Sequence, residues 1–382
     1  IYTKAAEKLI ESGNAYWCDC SPETLEIMRN EQSAAGKKPM YDGRSRNLRL
    51  KRSDKTVLRL ATPENGEIIV NDLIRGEIKF QNNELDDLIL MRSDGTPTYH
   101  LCNVVDDYEQ KVTTVIRGED HISNTPRQIH IQQALGYAPL EYAHLPLVLG
   151  EDKKRLSKRH AATSLDEYQA EGYLDVAIIN TLARLGWSGG KNEVFNLEEL
   201  IRDFDFKEVQ KAGAIFDLTK LDWINSQHLS QLDQTSFKKI LLPHIDNLNI
   251  DYSDYNQLDE LIESMRSVKP NLKLIAQSLV PYIGSFKEYD EKGVKKFLTG
   301  SERTLNLVLE MLDNLEVWNE AEIDKHLAKL QEKLELPTPK MNQPIRIALT
   351  GSTQSPSLGL TIKLMGKDKS IYLLKKAIDF LS

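Results

Sequence analysis

Cysteine is scarce in this sequence. The three present in 382 residues, Cys18, Cys20 and Cys102, cannot build a disulfide framework, so a reducing, cytoplasmic setting is expected. No apolar run approaches the roughly 18 residues that a membrane-spanning helix needs, and the first residues do not have the shape of a secretory signal peptide. Basic charge is not in excess: 49 Lys+Arg against 57 Asp+Glu give a net charge of −8. That balance argues against a general nucleic-acid coater and confines any phosphate binding to local clusters of cations. Two glycine signatures are also missing. Neither G-x-x-x-x-G-K-[ST] nor G-x-G-x-x-G after a strand occurs, so neither a P-loop nor a dinucleotide turn is readable. There is no internal repeat or low-complexity tract.

What the chain does have is length for two to four domains. An amphipathic start (Ala5, Leu9, Ile10) ends at Gly13, and SPETLEIMRNEQSAAG reads as a capped helix ended by Gly36. From 41 to 98 short strands and turns take over, with ENG and SDG as hairpin-type signals. From 99 to 150 the order becomes strand, helix, strand: VTTVIR, then SNTPRQIHIQQALG with Ser123 or Asn124 as cap and Gly136 as stop, then HLPLVLG. Such a unit implies a parallel pair with a right-handed crossover, and ligands of such sheets sit at the carboxyl ends of the strands. RGED (117–120) and EDKKRLSKRHA (151–161) both fall there. Short helices follow to about 230. Beyond 235 the period is helical, interrupted by IRIALTGSTQSPSLGLTIKLMG before a last helix, SIYLLKKAIDFL.

EDKKRLSKRHA has two readings. It is a solvated charged loop, or a phosphate-handling loop that works through mobile side chains, there being no glycine cradle. Its core, Arg155-Leu156-Ser157-Lys158-Arg159, resembles the KMSKS loop of class I aminoacyl-tRNA synthetases. Taken with YHLCNVVDD (99–107), VIRGEDHISNTPRQ (115–128), LARLGWS (182–188), YDGR (41–44) and LTGSTQSPSL (349–358), the whole chain resembles bacterial-type glutamyl-tRNA synthetase.

The resemblance implies an α/β chain. A partial Rossmann catalytic domain (1–15 and 98–160) would carry an α/β acceptor-binding insertion (16–97). A stem-contact region (161–234) and an all-α anticodon-binding domain (235–382, divisible at 282/283) would follow. The implied reaction joins L-glutamate to tRNA(Glu) through a glutamyl-adenylate, with ATP and Mg2+ as substrate and tRNA needed for the first step. Lys158 would be catalytic, following charge on the phosphates as pyrophosphate leaves. Arg155, Leu156, Ser157, Lys158 and Asp120 would hold ATP; Tyr99, Asn103, Arg117 and His121 would line the glutamate pocket. A buried acid without a cation is costly, and Arg117 can offer a two-pronged fork. By residue type alone those four read as a packed aromatic, a cap, a surface ion pair and a core histidine. Arg159 reads as solvated, and Asp106 and Asp107 as structural.

Arg346, Ser355 and Leu358 match positions that contact anticodon bases in the resembled family, although Leu358 is equally suited to a core. Where relatives that reject tRNA(Gln) carry an arginine, RSVKPNLK places Val268, so relaxed discrimination toward tRNA(Gln) is expected. Some relatives bind zinc near Cys18-Asp19-Cys20. Here Ser45 stands at the third cysteine position and Asn47 offers no imidazole, so no metal is expected. The family's HIGH segment has no counterpart between Ile1 and Ser382, so this piece alone is expected not to form adenylate. The alternatives are a tRNA-binding fragment, or a shortened paralogue that modifies a tRNA base. A monomer is expected.

Overall fold

The computed structural model describes residues 1–156, 164–190 and 192–382. They group into two compact units: one takes 1–156, 183–190 and 200–216, the other 164–182, 192–199 and 217–382. The first is mixed α/β and the second almost wholly helical.

The first unit begins with α1 (Tyr2–Glu11), whose Ala5, Ala6 and Leu9 are buried at helical spacing. β1 (Ala15–Cys18) leads to α2 (Pro22–Ala34), where the Ser21 side chain accepts from the Thr24 amide and Pro22 occupies the first turn. β2 (Val57–Leu60) pairs antiparallel with β1, and the hairpin of β3 (Glu67–Asp72) and β4 (Gly76–Gln81) follows. β5 (Ile89–Met91) then returns to β2, completing a three-stranded sheet in the order β1-β2-β5. SDG makes the expected tight turn: Arg92 N donates to Thr96 O, Met91 bridges Pro97, and Gly95 takes φ +83°.

α3 (Tyr99–Glu109) follows that turn. Leu101, Val104 and Val105 are its buried residues, a spacing that only a helix turns to one side. β6 (Thr114–Gly118), α4 (Thr125–Leu135) and β7 (Glu141–Leu145) form the expected crossover, with Arg117 opposite His144 in a parallel register. Gly136 ends α4 at φ +70°. Asn124 precedes α4 but does not cap it; its amide goes to His121 Nδ1 at 3.0 Å. β3 lies on the other side of β7, giving the sheet order β4-β3-β7-β6. HLPLVLG is not one strand. Pro146 has no amide hydrogen to continue the ladder, and the chain resumes as β8 (Val148–Leu149), parallel to β9 (Ala214–Ile215).

In the second unit α5 (Leu165–Ala170) opens with a capping box between Ser164 and Glu167. α6 (Asp175–Arg184) and α7 (Leu197–Asp203) each begin in this unit and end in residues of the first, and α8 (Leu218–Gln231), α9 (Gln234–Asp246), α10 (Leu258–Met265) and α11 (Leu272–Ile283) follow. α12 (Glu291–Gly293) runs into a π-helical turn over Val294–Leu298, and α13 (Glu302–Asp313) and α14 (Glu320–Leu334) come next. α15 (Thr338–Thr350), α16 (Leu358–Met365) and α17 (Lys367–Leu381) end the chain. One continuous core spans this unit from Leu229 to Ala377. IRIALT and LGLTIKLM are therefore helix, not an interruption. Ile345, Ile347, Ala348 and Leu349 are all buried, and a helix apolar on every side shows no period to read.

Candidate functional site

Arg117 stands at the end of β6, and its guanidinium is held on one edge by neutral partners. Nε donates to His144 Nε2 at 3.2 Å, and Nη2 donates to Thr125 Oγ1 at 2.8 Å and to the His121 carbonyl at 3.4 Å. Among the described residues Nη1 makes no hydrogen bond, which leaves one edge of the fork for an anion. His144, opposite on β7, is wholly buried, and its Nδ1 lies 2.6 Å from Asp72 Oδ2 on β3. Burial keeps the His144 pKa below the ordinary imidazole value, outweighing the pull of Asp72. Burial pushes the Asp72 carboxyl up, yet the amides of Arg75 and Ile74, the His144 ring and the His144 amide together hold it below the usual carboxylate value. Beside them Arg75 Nη2 pairs with Glu119 Oε2 at 2.5 Å, and Glu119 Oε1 accepts from Leu147 N at 3.1 Å.

The expected glutamate-pocket residues come from α3 and from the turn after β6. Tyr99 and Asn103 are one turn apart on α3 and so share a side. Tyr99 is 51% exposed, and its ring centroid lies 6.3 Å from that of His121. A cavity of about 430 Å³ opens at Tyr99, lined among others by His100, Tyr41, Arg59, Asp86 and Arg92. Asp107, one further turn along α3, carries a carboxyl raised by burial and by Asp106, with Arg117 opposing the rise. Asp106 itself accepts from the Tyr2 hydroxyl at 2.7 Å and ties α3 to α1.

Two expected ATP-site residues meet: Arg155 Nη1 donates to Asp120 Oδ2 at 2.8 Å. Leu156 N donates to Val148 O, and the chain doubles back between them with Gly150 N on Lys154 O. Ser157, Lys158 and Arg159 lie outside the described residues, and so does the catalytic role expected of Lys158. Sequence pattern does not single out Asp72, His144, Thr125, Arg75 or Glu119. The one signal it offers is a histidine inside the apolar run HLPLVLG.

Around the cysteine pair, Cys18 Sγ donates to Tyr41 Oη at 3.3 Å, and Ser45 Oγ lies 3.9 Å from Cys20 Sγ. Among the described residues no three His, Cys, Asp or Glu side chains converge as metal ligands would. In the helical unit Arg346 Nε donates to Ser355 Oγ at 2.8 Å and Nη2 to the Pro356 carbonyl at 3.3 Å. Leu358 is 5% exposed and belongs to the core, so of the three expected anticodon residues two are hydrogen-bonded to each other and part-exposed while the third is buried. Ser355 also borders a cavity of about 180 Å³ with Lys269, Tyr282 and Gln354, where Lys269 Nζ donates to Gln354 Oε1 at 2.5 Å. Val268, next to Lys269, is partly buried against the core. Among the described residues no helix is long and apolar enough to cross a membrane.

A parallel strand pair with a cationic fork at its carboxyl end, joined in one chain to a helical unit, is the plan of a class I tRNA synthetase. Residues 1–223 match the family described as tRNA synthetases class I (E and Q), catalytic domain, and residues 236–378 match an anticodon binding domain. The chain belongs to this family and is an aminoacyl-tRNA ligase. Among solved structures it is similar to a glutamate tRNA ligase from Elizabethkingia meningosepticum in complex with its amino acid (TM-score 0.78, 29% identity), covering 100% of this chain and 82% of that one. It is likewise similar to the glutamate-tRNA synthetase of Elizabethkingia anophelis (TM-score 0.76, 29% identity), covering 99% of this chain and 82% of the other.

Proposed function

We propose that the protein ligates L-glutamate to tRNA(Glu) through a glutamyl-adenylate. The α-carboxylate of glutamate attacks the α-phosphate of Mg2+-bound ATP and pyrophosphate leaves. A hydroxyl of the terminal ribose then attacks the mixed anhydride, and AMP leaves. No protein nucleophile is required; positioning and charge stabilisation supply the rate. Arg117 carries the reading. Its free Nη1 edge meets the side-chain carboxylate, with Tyr99, Asn103 and His121 around it. Asp120 and Arg155 lie toward ATP, and Lys158 follows the leaving phosphates. Arg346 and Ser355 meet the anticodon, Leu358 being buried in the core, and the chain acts as a monomer.

Aminoacylation by the natural gene product, with glutamate and glutamine each offered on purified tRNA(Glu) and tRNA(Gln), tests this. Glutamate on tRNA(Glu) is the expected product. Val268 in place of an arginine supports some glutamate on tRNA(Gln) as well. Charging with glutamine instead would refute the assignment. The tRNA-base-modifying alternative is disfavoured by the anticodon binding domain over 236–378. The fragment alternative predicts tRNA binding with no charging in the same assay.

A further inference from the structure

We propose that Asp72 and His144 form a positioning device that fixes the angle at which Arg117 meets the amino-acid carboxylate, a proposal that rests on the reading of Arg117 given above. The three side chains come from three adjacent strands: His144 on β7 stands opposite Arg117 on β6, and Asp72, at the end of β3, pairs two residues earlier on β7, opposite Tyr142. Asp72 Oδ2 lies 2.6 Å from His144 Nδ1, and both Asp72 oxygens also take the His144 amide, at 3.3 and 3.1 Å. An ionised carboxylate there accepts and cannot donate, so the imidazole proton is fixed on Nδ1. Nε2 is then left with a lone pair, which faces Arg117 Nε–H at 3.2 Å and the Thr125 hydroxyl at 3.2 Å.

The arrangement works only while the imidazole is neutral and in this tautomer. A protonated ring, or a proton moved to Nε2, would turn a donor against the guanidinium. The guanidinium would then swing about its stem, and Nη1 would leave its line to the substrate. His144 touches neither substrate nor reacting atoms in this scheme; it acts through Arg117. Arg75, from the hairpin that carries Asp72, reinforces these contacts, its Nε donating to the His144 carbonyl at 3.3 Å.

Asp72→Asn tests it with almost no change of shape. An asparagine amide can donate to Nδ1 and so drive the proton to Nε2, the tautomer error known from carboxylate–histidine pairs. KM for glutamate is expected to rise about tenfold, with kcat and KM for ATP changed less than about twofold. His144→Asn, which keeps a donor near Asp72 but loses the acceptor toward Arg117, should behave alike. His144→Gln places an amide oxygen near the position of Nε2 and should recover most of the glutamate affinity. Unchanged glutamate KM in Asp72→Asn and His144→Asn, alongside a raised KM in Arg117→Lys, would overturn the positioning role alone. Unchanged KM in Arg117→Lys too would overturn the reading beneath it. Equal losses in both substrates with a lowered Tm, unrescued by His144→Gln, would mark the pair as merely structural and overturn the proposal.

Discussion

Exchanging Arg117 for lysine retains a positive charge but removes the fork, and the structure indicates how much that should matter. The arginine spends Nε and Nη2 on His144, Thr125 and the His121 carbonyl, and keeps Nη1 for a ligand. One lysine ammonium cannot bridge the buried His144 acceptor and a substrate carboxylate in the same way. One charge-assisted hydrogen bond, about 1.5–3 kcal/mol, is therefore at stake, and partial compensation by the ammonium brings the expected loss to the low end. That corresponds to roughly tenfold in kcat/KM for glutamate. Arg117→Gln removes the charge as well. Truncating one member of a buried charge pair costs about 2–5 kcal/mol, and the half-buried setting of Arg117 favours the lower half, so about a hundredfold is expected. The decisive readout is selectivity. Glutamine needs no cation, so its kcat/KM should fall far less in Arg117→Gln, and the preference for glutamate should narrow. The assay is steady-state aminoacylation with each amino acid varied, on variants whose thermal unfolding shows them folded. If both variants keep kcat/KM for glutamate within about twofold, Arg117 does not bind the substrate acid.

Acid should destabilise the fold earlier than carboxylate titration alone would. Burial depresses the pKa of His130, His144 and His228 below 6.5, so the unfolded chain takes up protons that the folded chain refuses. The stabilisation is fully present above 6.5 and is lost as pH falls from there toward the folded values, by at most about 1.4 kcal/mol per pH unit for each histidine. Denaturant titrations between about pH 7.5 and 5.5 that gave a constant midpoint would contradict this. Arg346→Ala should weaken tRNA binding by about 1–2 kcal/mol, while leaving tRNA-independent ATP affinity unchanged, because its contacts lie wholly in the helical unit. Equal tRNA affinity in filter binding would remove it from the anticodon surface. Gly172→Ala should cost about 2–4 kcal/mol, since Gly172 has φ +83° and an added Cβ would lie 2.6 Å from Lys273 N and 2.8 Å from Leu272 Cβ. An unchanged Tm would show that α11 can shift to make room.

Much of this architecture is legible in the order of the amino acids, and the parts that are not have identifiable causes. The crossover can be read because VTTVIR precedes a helix with a glycine stop, but its second strand is EYAHL, which the apolar run HLPLVLG meets only at His144 and Leu145. Arg117 can be found because it ends VTTVIR. Its anchors are harder to place. Asp72 is far away in sequence, and its place beside β7 depends on a single parallel register, Asp72 opposite Tyr142, that no local pattern encodes. His144 sits in an apolar run, where a histidine reads as core packing; the carboxylate on the neighbouring strand gives it a different meaning. α3 is not announced in the sequence: Thr98 before it makes no side-chain cap, and the helix shows only in the joint burial of Leu101, Val104 and Val105.

Charge accounting around these strand ends gives an independent reason to single out Arg117. Three neighbouring arginines are already neutralised by carboxylates: Arg75 by Glu119, Arg155 by Asp120 and Arg127 by Asp86. An anionic substrate approaching any of them must first displace an acid and leave that acid without its partner, which opposes binding. Among the described residues Arg117 is hydrogen-bonded only to an imidazole, a hydroxyl and a carbonyl. Those partners orient the guanidinium without cancelling its charge. The Asp107 carboxyl feels its charge but makes no hydrogen bond to it, so an incoming carboxylate need not break an ion pair to reach Arg117. The neutral state of His144 therefore serves two ends at once. It accepts from Arg117, and it adds no second positive charge that would otherwise have to be balanced by another acid at the substrate's door.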